Sequence, residues 1–405
     1  KKRYADILEK EIGYVKKIWG QYNTVCLAYP NHYRIGMANL GFQTVYKIFN
    51  AQPSFLCERV FLSVPGDDAR FASGTAGIFS LENRKSIAEF DIWAFSVSFE
   101  NDYPNILKMM DSAGIPLLAK DRSDQGPLII GGGISLTLNP EPLADFFDLF
   151  ILGEAEDVLP EFCRSFEEAR FAGHDRQTFL KDVQRRVNNV YVPAFYAVQY
   201  SADNKIQSIR PREAGLPQNI KIKPVKNINA FRTEETVSAP GTEMDDMFLV
   251  EVNRGCARSC RFCAASFVYR PVRFRNSEEI IASIEQGLKR KHKIGLVGTA
   301  VSDHPDLAPI CEYVTTQGAQ AGVGSLRIDR IDEKIVDLIK AGGIETVALA
   351  PEAGSQRMRD ILRKDITKQN IMNAVETLAE KDVPNLRLYF MVGLPREEED
   401  DIDAI

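Results

Sequence analysis

A repeated alternation constrains this chain more than any other feature. Short apolar runs, each closed by glycine or a small polar residue, alternate with longer stretches of helical periodicity. The first series comprises residues 24–30, 60–64, 92–98, 127–130 and 149–152, with helices expected over 40–48, 106–113 and 155–190. Runs that are apolar throughout, rather than every second residue, suit strands covered on both faces, as in a doubly wound parallel sheet. The second series, 247–252, 293–299, 322–327, 345–350 and 387–393, repeats the pattern with helices between and predicts a (β/α) barrel. The fold class is therefore α/β: an N-terminal doubly wound sheet over 1–190, then a partial barrel over 247–405. Between them, residues 191–198 and 206–209 read as a hairpin across Asp203 and Asn204. Pro211, Pro217, Pro224 and Pro240 then punctuate an extended connector that ends at 246. Residues 4–19 place Leu8, Ile12, Val15 and Trp19 on one face and predict an amphipathic lead-in helix.

The barrel series opens on Cys256, Cys260 and Cys263, a CxxxCxxC spacing directly after the 247–252 run. Iron–sulfur clusters usually take four cysteines, so a triad leaves one iron open for chemistry. The competing reading is a structural zinc knot, which needs a fourth ligand. No other Cys or His lies between Arg210 and Lys291. Cys26, Cys57, Cys163 and Cys311 stand alone in apolar stretches and read as buried small hydrophobes. The net charge of −6 argues against a protein that coats nucleic acid. Even so, Arg254, Arg258, Arg261, Arg270, Arg273 and Arg275 follow one another with no acid between Glu251 and Glu278. They suit either a phosphate- or carboxylate-bearing ligand or charge compensation around an anionic centre. No apolar run is long enough to span a membrane. Free thiols in a ligand triad fit a reducing cytoplasm.

A strand followed by this cysteine triad, with Phe262 as the aromatic before Cys263, resembles the radical S-adenosylmethionine (SAM) superfamily. The resemblance implies a 4Fe-4S cluster on the three cysteines and SAM chelating the free iron. It implies reductive cleavage of SAM to a 5′-deoxyadenosyl radical. Gly298 and Thr299 stand where the superfamily often has Gly-Gly-Glu around the methionine amine; the acid is absent, so backbone carbonyls would serve. Ser325 and Arg327 follow the third run, with Arg327 placed to pair with the methionine carboxylate. Glu352, in Pro351-Glu352-Ala353-Gly354-Ser355, matches the segment whose acid reaches the ribose hydroxyls, although an acid there also suits a helix start. Met391 and Gly393 match the strand-five segment behind the adenine.

Ligands of doubly wound sheets bind at the carboxyl ends of the strands. Here those ends carry residues 31–36, Ser96, Ser98, Gly131, Gly132, Gly133, Gly153 and Glu154. The triple glycine admits close backbone approach, as tight turns also do. The set resembles the cobalamin (B12)-binding domain, a Rossmann-type fold found ahead of many radical SAM barrels. There a glycine pair and a Gly-Glu pair border the corrin or nucleotide tail. The family's Asp-x-His-x-x-Gly loop is replaced by Asn31-His32-Tyr33-Arg34-Ile35-Gly36, with Tyr33 at the histidine position. Any bound cobalamin is therefore expected to lack a histidine ligand.

The resemblance implies a radical enzyme, fed by a reductant such as flavodoxin or ferredoxin. Its output would be methyl transfer where cobalamin is bound, or methylthiolation or another modification where it is not. RNA, protein and small molecules all remain open as substrates. The rival readings are a non-catalytic iron–sulfur protein that passes electrons or binds a partner, and a zinc-stabilised RNA-binding module. Five barrel strands are counted where the superfamily usually has six. The fifth is expected at an open sheet edge in a chain that continues beyond residue 405. The acids after Pro395 read as a helix start.

Overall fold

The computed structural model describes residues 6–62, 78–324, 326–343 and 345–405. The chain divides into two units, Lys1–Val225 with Thr236–Asp245, and Lys226–Glu235 with Asp246–Ile405.

The first unit is built on a six-stranded sheet ordered β2-β1-β3-β4-β5-β6. Its strands are β1 (Asn23–Tyr29), β2 (Phe55–Phe61), β3 (Ile92–Ser96), β4 (Leu128–Gly132), β5 (Leu149–Ile151) and β6 (Val190–Tyr191). The first five are parallel, and β6 closes one edge antiparallel to β5. Their buried residues form one apolar core with helices α1 (Leu40–Ala51), α2 (Tyr103–Ser112), α3 (Val158–Ala172) and α4 (Arg176–Arg186). The Asn39 side chain caps α1 by accepting from the Phe42 N–H. The segment expected as one helical stretch over 155–190 is two helices, because Gly173 ends α3 in a left-handed conformation and Asp175 caps α4. The strand order, not the strand direction, reverses between β1 and β3, the switch point of such a sheet. The hairpin forms as β7 (Tyr196–Tyr200) against β8 (Ile206–Pro211) and belongs to this unit.

Two expectations fail here for the same reason. The strand expected at 60–64 lies at Phe55–Phe61, and residues 63 and 64 fall outside the described residues. Glu58 and Arg59 hid it, yet both are buried. The lead-in helix does not extend past residue 8. Glu11 instead turns inward to Arg59 (Oε2 to Nη2, 2.6 Å), and Ile12 bridges Ser238. An isolated four-turn helix is marginal in water, and here Glu11 is committed to Arg59 instead.

The second unit carries a four-stranded sheet ordered β10-β9-β11-β12 and a separate parallel pair, β13-β14. Its strands are β9 (Phe248–Arg254), β10 (Arg273–Phe274), β11 (Lys293–Gly298), β12 (Gln320–Val323), β13 (Thr346–Glu352) and β14 (Asn385–Phe390). All are parallel to their neighbours except β10. The five parallel strands alternate with helices α5 (Ser277–Leu288), α6 (Leu307–Thr316), α7 (Glu333–Ala341), α8 (Gln356–Leu362) and α9 (Lys368–Glu380). Among the described residues β14 pairs with β13 alone, leaving its other side open as expected. The third and fifth strands end earlier than expected, so Arg327 and Gly393 stand on loops beyond them.

Candidate active site

The cysteine loop leaves β9 through Gly255, at φ +77°, where an added Cβ would lie 2.2 Å from the Tyr269 carbonyl oxygen. Only glycine fits that turn. Cys256 and Cys260 are buried and Cys263 is half-buried. The Arg258 N–H points at the Cys256 sulfur, 3.4 Å away. Burial pushes the Cys260 thiol up, while the charges of Lys364 and Arg327 pull it down. Soft thiols on one short loop, an amide directed at a sulfur and cations set against the most affected thiol suit a thiolate-held iron–sulfur cluster.

The other strand ends of this unit are tied to that loop. Gly298 closes β11 at a register shift against β9. An added Cβ there would fall 2.0 Å from Asn253 Oδ1. Thr299 is half-buried in the turn that follows. Arg327 binds Asp329 with two nitrogens, Nε to Oδ1 at 2.8 Å and Nη2 to Oδ2 at 3.1 Å. Arg258, from the cysteine loop, lies 3.8 Å from Asp329 and 3.5 Å from Asp303. Burial would raise the Asp329 carboxyl, but Arg327 and then Arg258 hold it below its ordinary range. Ser325 lies outside the described residues.

Glu352 ends β13 at φ +72°, a conformation that non-glycine residues seldom adopt. Its Oε1 accepts from Lys364 Nζ at 2.8 Å, and that ammonium lies 5.7 Å from the centroid of the Phe262 ring. Met391 donates its N–H to the Glu352 carbonyl and packs against Ala353, Met358 and Leu362. Gly393 donates its N–H to Glu397. Arg261 completes the tie: its N–H reaches the Leu362 carbonyl and its guanidinium the Ile361 carbonyl, both at 2.9 Å.

The arginine run is engaged with protein groups around the loop. Arg254 and Arg275 clamp the half-buried Glu251, at 2.9 and 2.5 Å, and together outweigh burial to lower its carboxyl. Arg258 faces Asp303 and Asp329, while Arg270 and Arg273 bind loop carbonyls. These side chains hold the fold around the loop. Lys364, Asp303 and Asp329 are the groups that sequence reasoning missed.

In the first unit, Ser96 ends β3 and Ser98 accepts from Asn39, beside the Asn31–Asp102 hydrogen bond at the β1/β3 reversal. Gly131 is packed against Leu136, Phe147 and Phe150. Gly132 and Gly133 follow at the strand end, where a Cβ on Gly133 would strike the Val97 carbonyl. Gly153 lies against Ile222, and the buried Glu154 accepts from the Val225 N–H at 2.8 Å. The connector thus crosses the end of β5. Tyr33 and His32 face elsewhere: Tyr33 points to Glu11, and His32 Nδ1 lies 3.3 Å from the Leu62 carbonyl. Cys26, Cys57, Cys163 and Cys311 are buried thiols that burial pushes up.

Comparison with known proteins agrees with this arrangement. The model of the N-terminal region of radical SAM proteins matches residues 41–193, and that of the radical SAM superfamily matches 250–405. The chain belongs to the radical SAM superfamily. An uncharacterised protein of Methanocaldococcus jannaschii is 28% identical over 94% of this chain and 72% of its own length. The anaerobic magnesium-protoporphyrin IX monomethyl ester cyclase of Rubrivivax gelatinosus is 24% identical over 69% of this chain and 48% of its own. The tRNA-2-methylthio-N(6)-dimethylallyladenosine synthase of Caldicellulosiruptor saccharolyticus is 29% identical over 38% of this chain and 36% of its own. Among solved structures, the radical SAM methyltransferase TsrM of Kitasatospora setae superposes with a TM-score of 0.58 at 13% identity. That match covers 94% of this chain and 69% of TsrM. The cobalamin-dependent radical SAM enzyme OxsB gives 0.57 at 16%, over 95% and 51%. At these identities the solved structures establish the fold. Membership implies a 4Fe-4S cluster and SAM as cofactors. Among the described residues no helix is long and apolar enough to cross a membrane.

Proposed function

We propose that this chain is a radical SAM enzyme whose first unit carries cobalamin and whose output is methyl transfer. The cysteine loop, tied to α8 by Arg261 and to the end of β13 through Lys364, is the observation that carries the reading. When bound, the cluster and SAM supply a 5′-deoxyadenosyl radical able to attack an unreactive C–H bond. Cys256, Cys260 and Cys263 hold the cluster. Arg327 takes the methionine carboxylate as a bidentate partner in place of Asp329, a planar match that lysine does not make. Glu352 takes the ribose hydroxyls, Gly298 lets the ligand approach the backbone beside Thr299, and Met391 and Gly393 back the adenine. Residues at the carboxyl ends of β1, β3 and β4 border the cobalamin, with Gly132 and Gly133 at its edge.

Methyl transfer is favoured over methylthiolation because the cobalamin-dependent and methyltransferase structures match both units. The methylthiolating relative matches 38% of the chain. The electron comes from a flavodoxin- or ferredoxin-class protein in a reducing cytoplasm. Anaerobic reconstitution with iron and sulfide tests the reading. The expected result is a four-iron cluster whose reduced spin signal changes on adding SAM, 5′-deoxyadenosine as product, and loss of both in Cys256→Ala, Cys260→Ala or Cys263→Ala. Stoichiometric zinc with no iron uptake sinks it. A cluster without 5′-deoxyadenosine would instead leave an electron carrier.

A further inference from the structure

We infer that Lys364 is a positioning residue of the cluster site: it ties Glu352 to the cysteine loop and supplies the positive charge that favours one-electron reduction of a cluster held there. The inference rests on the proposed function, since it needs the cluster.

The backbone around Lys364 is costly to form. Arg363 and Asp365, on either side of it, sit at φ +54° and +53°. Such non-glycine residues are strained and persist only where the surroundings hold them. Here the surroundings are the cysteine loop itself, through the two hydrogen bonds of Arg261 to the last carbonyls of α8. The Lys364 N–H also closes back on the Arg359 carbonyl at 3.0 Å. A turn so clamped sends the Lys364 side chain inward, leaving 13% of it exposed.

Its ammonium then meets two groups. One is Glu352 Oε1, on a third residue at positive φ. The other is the ring of Phe262, which stands between Cys260 and Cys263. The distance to that ring is within the range of a cation–π contact. The plain alternative is a salt bridge that closes a helix end. Nothing in that role requires the cation to reach the cysteine loop.

The electrostatics give the effect a sign. With three thiolates, an oxidised four-iron cluster carries one net negative charge and the reduced cluster two. A fixed cation in a partly buried site stabilises the second charge more than the first. The electron comes from a low-potential one-electron reductant, and no bond breaks and no proton moves in this step. Glu352 partly offsets the cation, so the pair sets the balance.

The test uses the full chain reconstituted anaerobically with iron and sulfide. Wild type, Lys364→Met, Lys364→Arg and Glu352→Gln are poised with a one-electron reductant over a range of potentials. The reduced cluster is read by its spin signal. Lys364→Met should lower the reduced-to-oxidised ratio at a fixed potential about tenfold, which is about 59 mV for a one-electron couple. Lys364→Arg should stay near wild type, and Glu352→Gln should shift the other way. A Lys364→Met protein of normal iron content and unchanged midpoint overturns the inference. So does a Glu352→Gln shift in the same direction as Lys364→Met, which decides the matter even where the Met variant fails to assemble. Zinc in place of iron in the wild type would overturn the proposed function instead.

Discussion

The hydroxyl of Tyr33 donates to Oε1 of Glu11 at 2.7 Å, and the same carboxylate is held by the buried guanidinium of Arg59. Arg59 also binds Glu82, Nε to Oε1 at 2.7 Å, and lies over the Tyr46 ring. Burial, with Glu11 adding to it, pushes the Tyr33 phenol well above its ordinary range, so it stays neutral. The residue at the family's histidine position is thereby engaged on the N-terminal segment. Phe61 packs edge-on against its ring.

Cobalamin bound to this chain should consequently carry water or nothing on its lower face. A neutral phenol is a poor cobalt ligand, and Tyr33 is already committed. His32→Ala should leave the absorption and spin spectra of the bound cofactor unchanged. A nitrogen-ligated cobalt signal that disappears in this variant would show that the loop rearranges on binding. Glu11→Ala leaves Arg59 with a single acid and should cost about 3–5 kcal/mol in urea unfolding, as for other broken buried pairs.

Arg327 and Asp329 make a second pair with opposite expectations. Arg327→Ala removes a charge-assisted contact and should weaken SAM binding by about 1.5–3 kcal/mol without changing cluster content. Asp329→Asn removes the competitor for the same guanidinium and should tighten it. Calorimetric titration of reconstituted protein reads both. Weaker binding in both variants would mean that Asp329 orients Arg327 rather than competes for it.

Gly298→Ala tests how closely β9 and β11 are packed at the site. The backbone there is ordinary, so the cost is purely of space: the new methyl would overlap Asn253 Oδ1, in a side chain only 1% exposed. Overpacking of this kind costs about 1–3 kcal/mol. Pairing it with Asn253→Ala should recover part of that loss, with a coupling of about 0.5 kcal/mol or more in urea unfolding. Strict additivity would mean that the clash is relieved by moving the strand.

Much of this was legible because strands buried on both faces leave continuous apolar runs. That is how β1, β3, β4, β9 and β11 declare themselves. β2 does not, since Glu58 and Arg59 interrupt its run. Their partners Glu11, Glu82 and Asn83 are distant in sequence. The cysteine triad was legible from spacing alone. The arginine run was legible as charge density but its partners were not, because Asp303 and Asp329 come from later strand ends. Lys364 was invisible for a different reason. Its place depends on two left-handed residues and a clamp from Arg261, some hundred positions away.

The acidic tail gives a prediction with a definite sign. It forms the helix Glu399–Asp403, as the acids after Pro395 predict, and Asp401 anchors it to the β13 loop. Ser355 Oγ donates to Asp401 at 2.5 Å, and the Arg357 guanidinium pairs with the same carboxylate. These contacts bring the carboxyl down to about 2. An unfolded chain has it near 3.9, so the unfolded state takes up its proton first as pH falls. The stability contributed by Asp401 is therefore complete above about pH 4 and lost as pH drops through about 2. Denaturant unfolding of wild type and Asp401→Asn should differ most at pH 5 and converge towards pH 2. Because other carboxylates titrate in the same window, the difference between the two proteins is the quantity to follow. A gap that stays constant from pH 5 to pH 2 would mean that the anchor acts through shape rather than charge.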